Sequence, residues 1–137
     1  MSAPSKAQRL KNLRSIPIFA GLSDAALDRI RKVSAELEVP HGQVLVQRGS
    51  PASGLFIVEE GAVVVEARGK MIELGPGECF GELALLTDKN RTARVRAKSD
   101  VRCLVLNRFE FRKLLLGEPK MAVAMLEMLA ERFVEAT

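Results

Sequence analysis

Residues 54–80 read GLFIVEEGAVVVEARGKMIELGPGECF. Three apolar, β-prone runs, Leu55 to Glu60, Ala62 to Ala67 and Met71 to Leu74, are punctuated by Gly54, Gly61, Gly69, Gly75 and Gly77. Branched and aromatic side chains suit a pleated, half-buried surface, and glycine at each joint admits the positive φ that a tight reversal requires. The stretch predicts short antiparallel strands joined by tight turns, as in a small roll or barrel.

The pattern extends on both sides. Upstream, Glu36 to Pro40 and Gln43 to Arg48 are similar runs set off by Gly42 and Gly49; downstream, Arg91 to Ala97 and Val101 to Asn107 flank the polar turn Lys98-Ser99-Asp100. Outside the strands the period becomes helical. Residues 5–14 predict a short basic helix, and Ser23-Asp24 opens a second, with Leu27, Ile30, Val33 and Leu37 at three- and four-residue steps. Asn107 followed by Glu110 resembles a capping box for a helix over 108–116, ended by Gly117. Pro119 suits the first turn of a last helix rich in apolar residues, Met121, Met125 and Met128 among them. Core packing is the reading adopted for those methionines. The predicted fold is mainly β: a jelly-roll-like antiparallel β-roll over 36–107, with N-terminal helices over 1–35 and two C-terminal helices over 108–137, in a single domain.

Composition bounds the function. The 137 residues are one domain's worth and contain no apolar run long enough to cross a bilayer, and the N-terminus has no apolar core of a secretory signal. A cytoplasmic protein is expected, with Cys79 and Cys103 as buried thiols. Twenty-one Lys and Arg against seventeen Asp and Glu give a net charge of +4. Lys6, Arg9, Lys11 and Arg14, then Arg29, Arg31 and Lys32, recur at helical spacing, but no recognition-helix pattern accompanies them, so direct nucleic-acid binding is not expected. The single histidine, His41, lies in a Pro-His-Gly turn. It cannot supply an imidazole-rich metal site, and it leaves no convincing Ser-His-Asp or Cys-His grouping. The expectation is a sensor that is not an enzyme and holds no metal.

The segment Phe80 to Ala97, FGELALLTDKNRTARVRA, places a carboxylate directly after Gly81 and an arginine nine residues beyond it. Gly81 lets a ligand approach the backbone, and Glu82 to Leu86 has the composition of a short helix whose free N–H groups would attract an anion. Arg91 offers a planar fork to two phosphate oxygens. Glu82 accepts hydrogen bonds, so a phosphate joined to a ribose would satisfy both charges. An ion pair between Glu82 and Arg91 across a turn is the other reading of the same spacing.

The whole segment, with FGELALL and RTA in register, resembles the phosphate-binding cassette (residues 80–93 here) of cyclic nucleotide-binding domains. IPIFAGLSDAALDRI resembles the family's opening helix, GLFIVEEGAVVV its central hairpin, and FRKLL with the last helix its closing elements. The resemblance implies cAMP, or cGMP, as ligand. It implies that Glu82 and the Gly81 backbone hold the ribose 2′-hydroxyl and that Arg91 holds the cyclic phosphate. The N–H groups of Leu83, Ala84 and Ala93 would complete the cradle, Thr92 would reach phosphate or base, and Val65, Ile72 and Leu74 would line the purine pocket. Asn90 stands where the family often has proline, and Arg94 where a small hydroxyl residue is usual. Val63 is read as core, and Arg132 as a solvated helix charge. An effector outside this chain, at the cytoplasmic face of a membrane if the chain comes from a channel, would read the signal; the alternative reading is a ligand-free β-roll that docks, forms a homodimer through its Met-rich last helix or associates with DNA through its basic first helix.

Overall fold

The computed structural model describes residues 4–47, 54–67, 69–81 and 93–136. Helix α1 (Lys6–Arg14) is capped by Ser5, whose hydroxyl accepts from the Gln8 N–H at 3.1 Å. A 3-10 turn at Pro17–Phe19 leads to α2 (Asp24–Val33), where Ser23 accepts from the Ala26 N–H at 3.1 Å. Both caps satisfy a donor that the first helical turn leaves open.

The strands are β1 (Ala35–Val39), β2 (Val44–Val46), β3 (Gly54–Glu60), β4 (Val63–Ala67), β5 (Lys70–Leu74), β6 (Cys79–Phe80), β7 (Arg94–Ala97) and β8 (Val101–Asn107). They form two antiparallel four-stranded sheets, ordered β1-β8-β3-β6 and β2-β7-β4-β5. Helices α3 (Arg108–Gly117) and α4 (Pro119–Ala136) close the chain. Asn107 caps α3 by accepting from the Glu110 N–H at 2.9 Å, as the sequence predicts. Among the described residues no helix is long and apolar enough to cross a membrane.

Leu37 lies in β1 opposite Cys103, as the run Glu36 to Pro40 predicts, although its spacing also continues the stripe of α2. The helix stops where Ser34 turns extended, at φ −84° and ψ 144°, with its hydroxyl donating to the Ile30 carbonyl at 2.6 Å.

Strand alternation divides the core in two. On one face of the first sheet, Leu55, Ile57, Leu104 and Leu106 meet Leu13, Phe19, Leu27, Ile30 and Phe111 from the helical layer, together with Met121 and Met125 of α4. On its other face, Phe56, Val58, Val101 and Cys103 meet Val63, Val95 and Ala97 of the second sheet. Cys79 packs on the helical side and Cys103 on the inner side, so the two thiols are separated by the sheet and are not joined in a disulfide.

The helix-facing side of the first sheet turns from apolar to charged at one end. There Glu59, 3% exposed, accepts from the Arg9 Nε at 3.1 Å. Arg9 also pairs with Glu36, and Arg102 with Glu38. Burial pushes the Glu59 carboxyl above its ordinary value, with Arg9 opposing.

The turn between β3 and β4 is held by close backbone approach. At Gly61, φ +83°, a β-carbon would stand 2.1 Å from the Asp100 carbonyl oxygen, and the adjoining Ala62 N–H donates to the Ser99 hydroxyl at 3.0 Å. Glycine is required here by both conformation and space.

Candidate functional site

The hairpin of β4 and β5 pairs Val63 with Leu74 and Val65 with Ile72, while β7 sets Ala97 against Val63 and Val95 against Val65. Directly paired residues share a face, so Val63, Val65, Ile72 and Leu74 all look toward the space between the sheets. Their burial is graded. Val63 is 0% exposed, in agreement with its reading as core; Val65 and Leu74 are half-buried and pack against the inner cluster; Ile72 is 53% exposed. The inner face is therefore filled at its Val63 end and open at its Ile72 end.

Ala93 immediately precedes β7, whose first residue, Arg94, pairs with Glu66 of β4. Gly81 immediately follows β6 in the other sheet and has φ +102°, a conformation that side chains beyond glycine rarely adopt. The wall next to it is rigid: Phe80 stacks on Phe56 at 4.9 Å with an interplanar angle of 8°. Residues 82–92 thus join the end of one sheet to a strand of the facing one. Glu82, Leu83, Ala84, Arg91 and Thr92, and also Asn90, lie outside the described residues.

The facing of Arg94 is settled by its strand. It lies on the outer side of β7, where its guanidinium donates twice to Glu66 Oε2 at 3.0 and 2.8 Å, and Arg96 sits 3.4 Å from the other oxygen. Arg94 holds the Glu66 carboxyl below the ordinary carboxylate range. The alternation Arg94-Val95-Arg96-Ala97 carries the signal for that face, with the apolar pair turned inward and the two arginines outward.

The basic helices are electrostatically engaged within the chain. Lys6, Arg31 and Lys32 surround Asp28, Arg14 pairs with Asp24, Arg29 with Glu118, and Arg9 with Glu36 and Glu59. Of the seven cations picked out by spacing, only Lys11 has no such pair among the described residues. His41 is exposed, its backbone N–H donating to Asp100 at 3.0 Å.

A two-sheet antiparallel roll, with helices on one outer face and apolar side chains left open between the sheets, is the architecture of small-ligand-binding rolls. Residues 36–118 match the family model for the cyclic nucleotide-binding domain. A cyclic nucleotide-gated potassium channel of Mesorhizobium japonicum is 37% identical over 108 residues, covering 79% of this chain and 30% of the channel. A cAMP-dependent protein kinase regulatory subunit of Aspergillus fumigatus is 32% identical over 106 residues, covering 75% of this chain and 26% of that protein. The crystal structure of the Thermus thermophilus catabolite activator protein superposes with a TM-score of 0.79 at 30% identity, covering 88% of this chain and 59% of that one. The chain belongs to the cyclic nucleotide-binding domain family, and it spans about a third or less of the length of these curated relatives.

Proposed function

We propose that the chain is a cAMP-responsive regulatory module that reads its ligand without transforming it. The observation that carries the reading is the open end of the inner face. Ile72 exposes apolar surface there, and the described chain leaves one sheet at a left-handed Gly81 and resumes at Ala93, next to a strand of the other. A purine on Val65, Ile72 and Leu74 would cover that surface. The phosphate would lie against Arg91 and the N–H groups of Leu83, Ala84 and Ala93, with the ribose 2′-hydroxyl on Glu82 and the Gly81 backbone. Thr92 is the residue through which guanine would be favoured over adenine.

The helical layer supports a mechanical output. Met121 and Met125 of α4 share one cluster with Leu13 of α1 and Ile18 and Phe19 of the 3-10 turn, so a displacement of α4 is felt at the N-terminal helices. A ligand that binds one arrangement of α4 more tightly would shift the population toward it. The effector that reads this shift is proposed to lie outside the chain, by analogy with the gated channel and the kinase regulatory subunit to which the chain is similar. Calorimetric titration with cAMP and cGMP side by side tests the reading: cAMP binds in the micromolar range, about −8 kcal/mol, and more tightly than cGMP. Stronger cGMP binding, reduced by Thr92→Ala, would reassign the ligand, and heat from neither would end the proposal.

A further inference from the structure

On the helical side of the first sheet, away from the inner face, α2, α3 and the end of β8 line a half-open cleft of about 540 Å³. That size falls within the usual range for small-molecule sites, about 300 to 1,000 Å³. Its floor is hydrocarbon: Ile30 and Leu106, each 1% exposed, lie beneath Leu114 and Val33. Val33 is 42% exposed, so apolar surface reaches the opening. The Arg29–Glu118 ion pair, 3.0 Å, links the two walls from α2 to the end of α3.

The chemistry of the lining is selective. It contains no serine, threonine, asparagine, glutamine or tyrosine, so a sugar or a nucleobase would find no neutral side-chain partner. What remains is hydrocarbon and charge. Arg29 is engaged by Glu118 and Lys32 by Asp28 at 3.2 Å, while Glu110 lies in the first turn of α3, where the helix dipole accommodates an acid. Lys113 is exposed and has no acidic partner within 4 Å among the described residues. Lys113 therefore stands without an ion pair at the mouth of an apolar cleft, one helical turn from Glu110, whose carboxylate has no cationic partner within 4 Å among the described residues.

We propose that this cleft binds a free acyl-chain carboxylate, its chain against Val33 and Leu114 and its head group on Lys113. Hydrocarbon is drawn to the floor by the hydrophobic effect, and the ammonium selects the anionic head over an alcohol. The first sheet separates this site from the proposed nucleotide site.

The test is amide-resolved NMR titration of the full chain with monomeric decanoate, with decanol and with anionic phospholipid vesicles as the other arms. Saturable shifts centred on Val33, Lys113 and Leu114 are expected. Lys113→Glu weakens decanoate binding at least tenfold, Val33→Asp abolishes it, and decanol binds at least tenfold more weakly than decanoate. Val33→Asp replaces a partly exposed side chain, and the dispersion of its amide spectrum reports whether it is folded; cAMP titration of both variants reads the nucleotide site independently. Shifts confined to Val65 and Ile72 or to the exposed Val123 and Leu126 of α4, equal binding of decanol, insensitivity to Lys113→Glu, or binding to vesicles alone would each overturn the proposal.

Discussion

At the residue scale, the most consequential buried charge is Glu59. Its only hydrogen-bond donor among the described residues is Arg9, and its second carboxylate oxygen is buried without a partner. Removing the donor leaves a charge in a site that solvates it poorly. Arg9→Ala is expected to destabilise the fold by about 3 kcal/mol, measured by denaturant unfolding at neutral pH. The pH dependence has a definite sign. Because the folded-state value is raised, the folded chain keeps a proton on Glu59 that the unfolded chain releases at about 4.5. Stability attributable to this group therefore falls as pH rises from that value through the raised one, and Glu59→Gln removes that slope. Asp28 and Glu66, both lowered chiefly by hydrogen bonds from arginine, act in the opposite sense, losing their contribution as pH falls below the ordinary carboxylate range. Ile72 and Val63 make a second contrast. Ile72→Ala, at an exposed position on the inward face, is expected to weaken cAMP binding roughly tenfold with little change in melting temperature, whereas Val63→Ala lowers the melting temperature. A melting temperature that falls equally in both would place Ile72 in the core and remove it from the site.

At the scale of elements, what was legible in the sequence depended on whether a signal was local. The β8 span Val101–Asn107 and the Asn107 cap of α3 match their sequence expectations because a polar turn precedes the strand and a cap, with its acid three residues on, follows it. Replacing Asn107 with alanine should cost about 1 kcal/mol of stability, seen as a shift in the denaturation midpoint with an unchanged slope. By contrast, β6 has only two residues, too few for any periodicity, and exists because Phe56 and Ile57 of β3 supply the pairing edge. The 3-10 turn at Pro17–Phe19 lacks a local signature for a similar reason: its apolar residues follow the needs of the helical core. Leu37 fits both a helical stripe and a strand, because three-and-four spacing persists across a helix end that is set by the conformation of Ser34. The outward face of Arg94 follows from the alternation Arg94-Val95-Arg96-Ala97, but its partner Glu66 comes from the β4 register, which is not local in sequence. The candidate site was named from its motif; the structure adds the graded burial from Val63 to Ile72, a property of how far the second sheet's inner face is covered.

At the scale of the whole molecule, the first sheet is a partition. One face carries the helical layer and the acyl-binding cleft proposed above; the other faces the second sheet and the proposed nucleotide pocket. Cys103 reports on the integrity of the inner side, since burial, with Glu59 adding to it, pushes its thiol up to about 12. Ligand binding between the sheets and output through α4 are compatible because α4 and the N-terminal helices share one core. The central claim is that residues 80–93 hold a cyclic phosphate monoanion through Arg91, and it is tested most directly by calorimetric titration of cAMP into the native chain and into Arg91→Ala. Saturable micromolar binding that weakens by about 2 to 5 kcal/mol in the variant is the predicted result. Binding of equal strength in the two proteins, or none to the native chain, would contradict it.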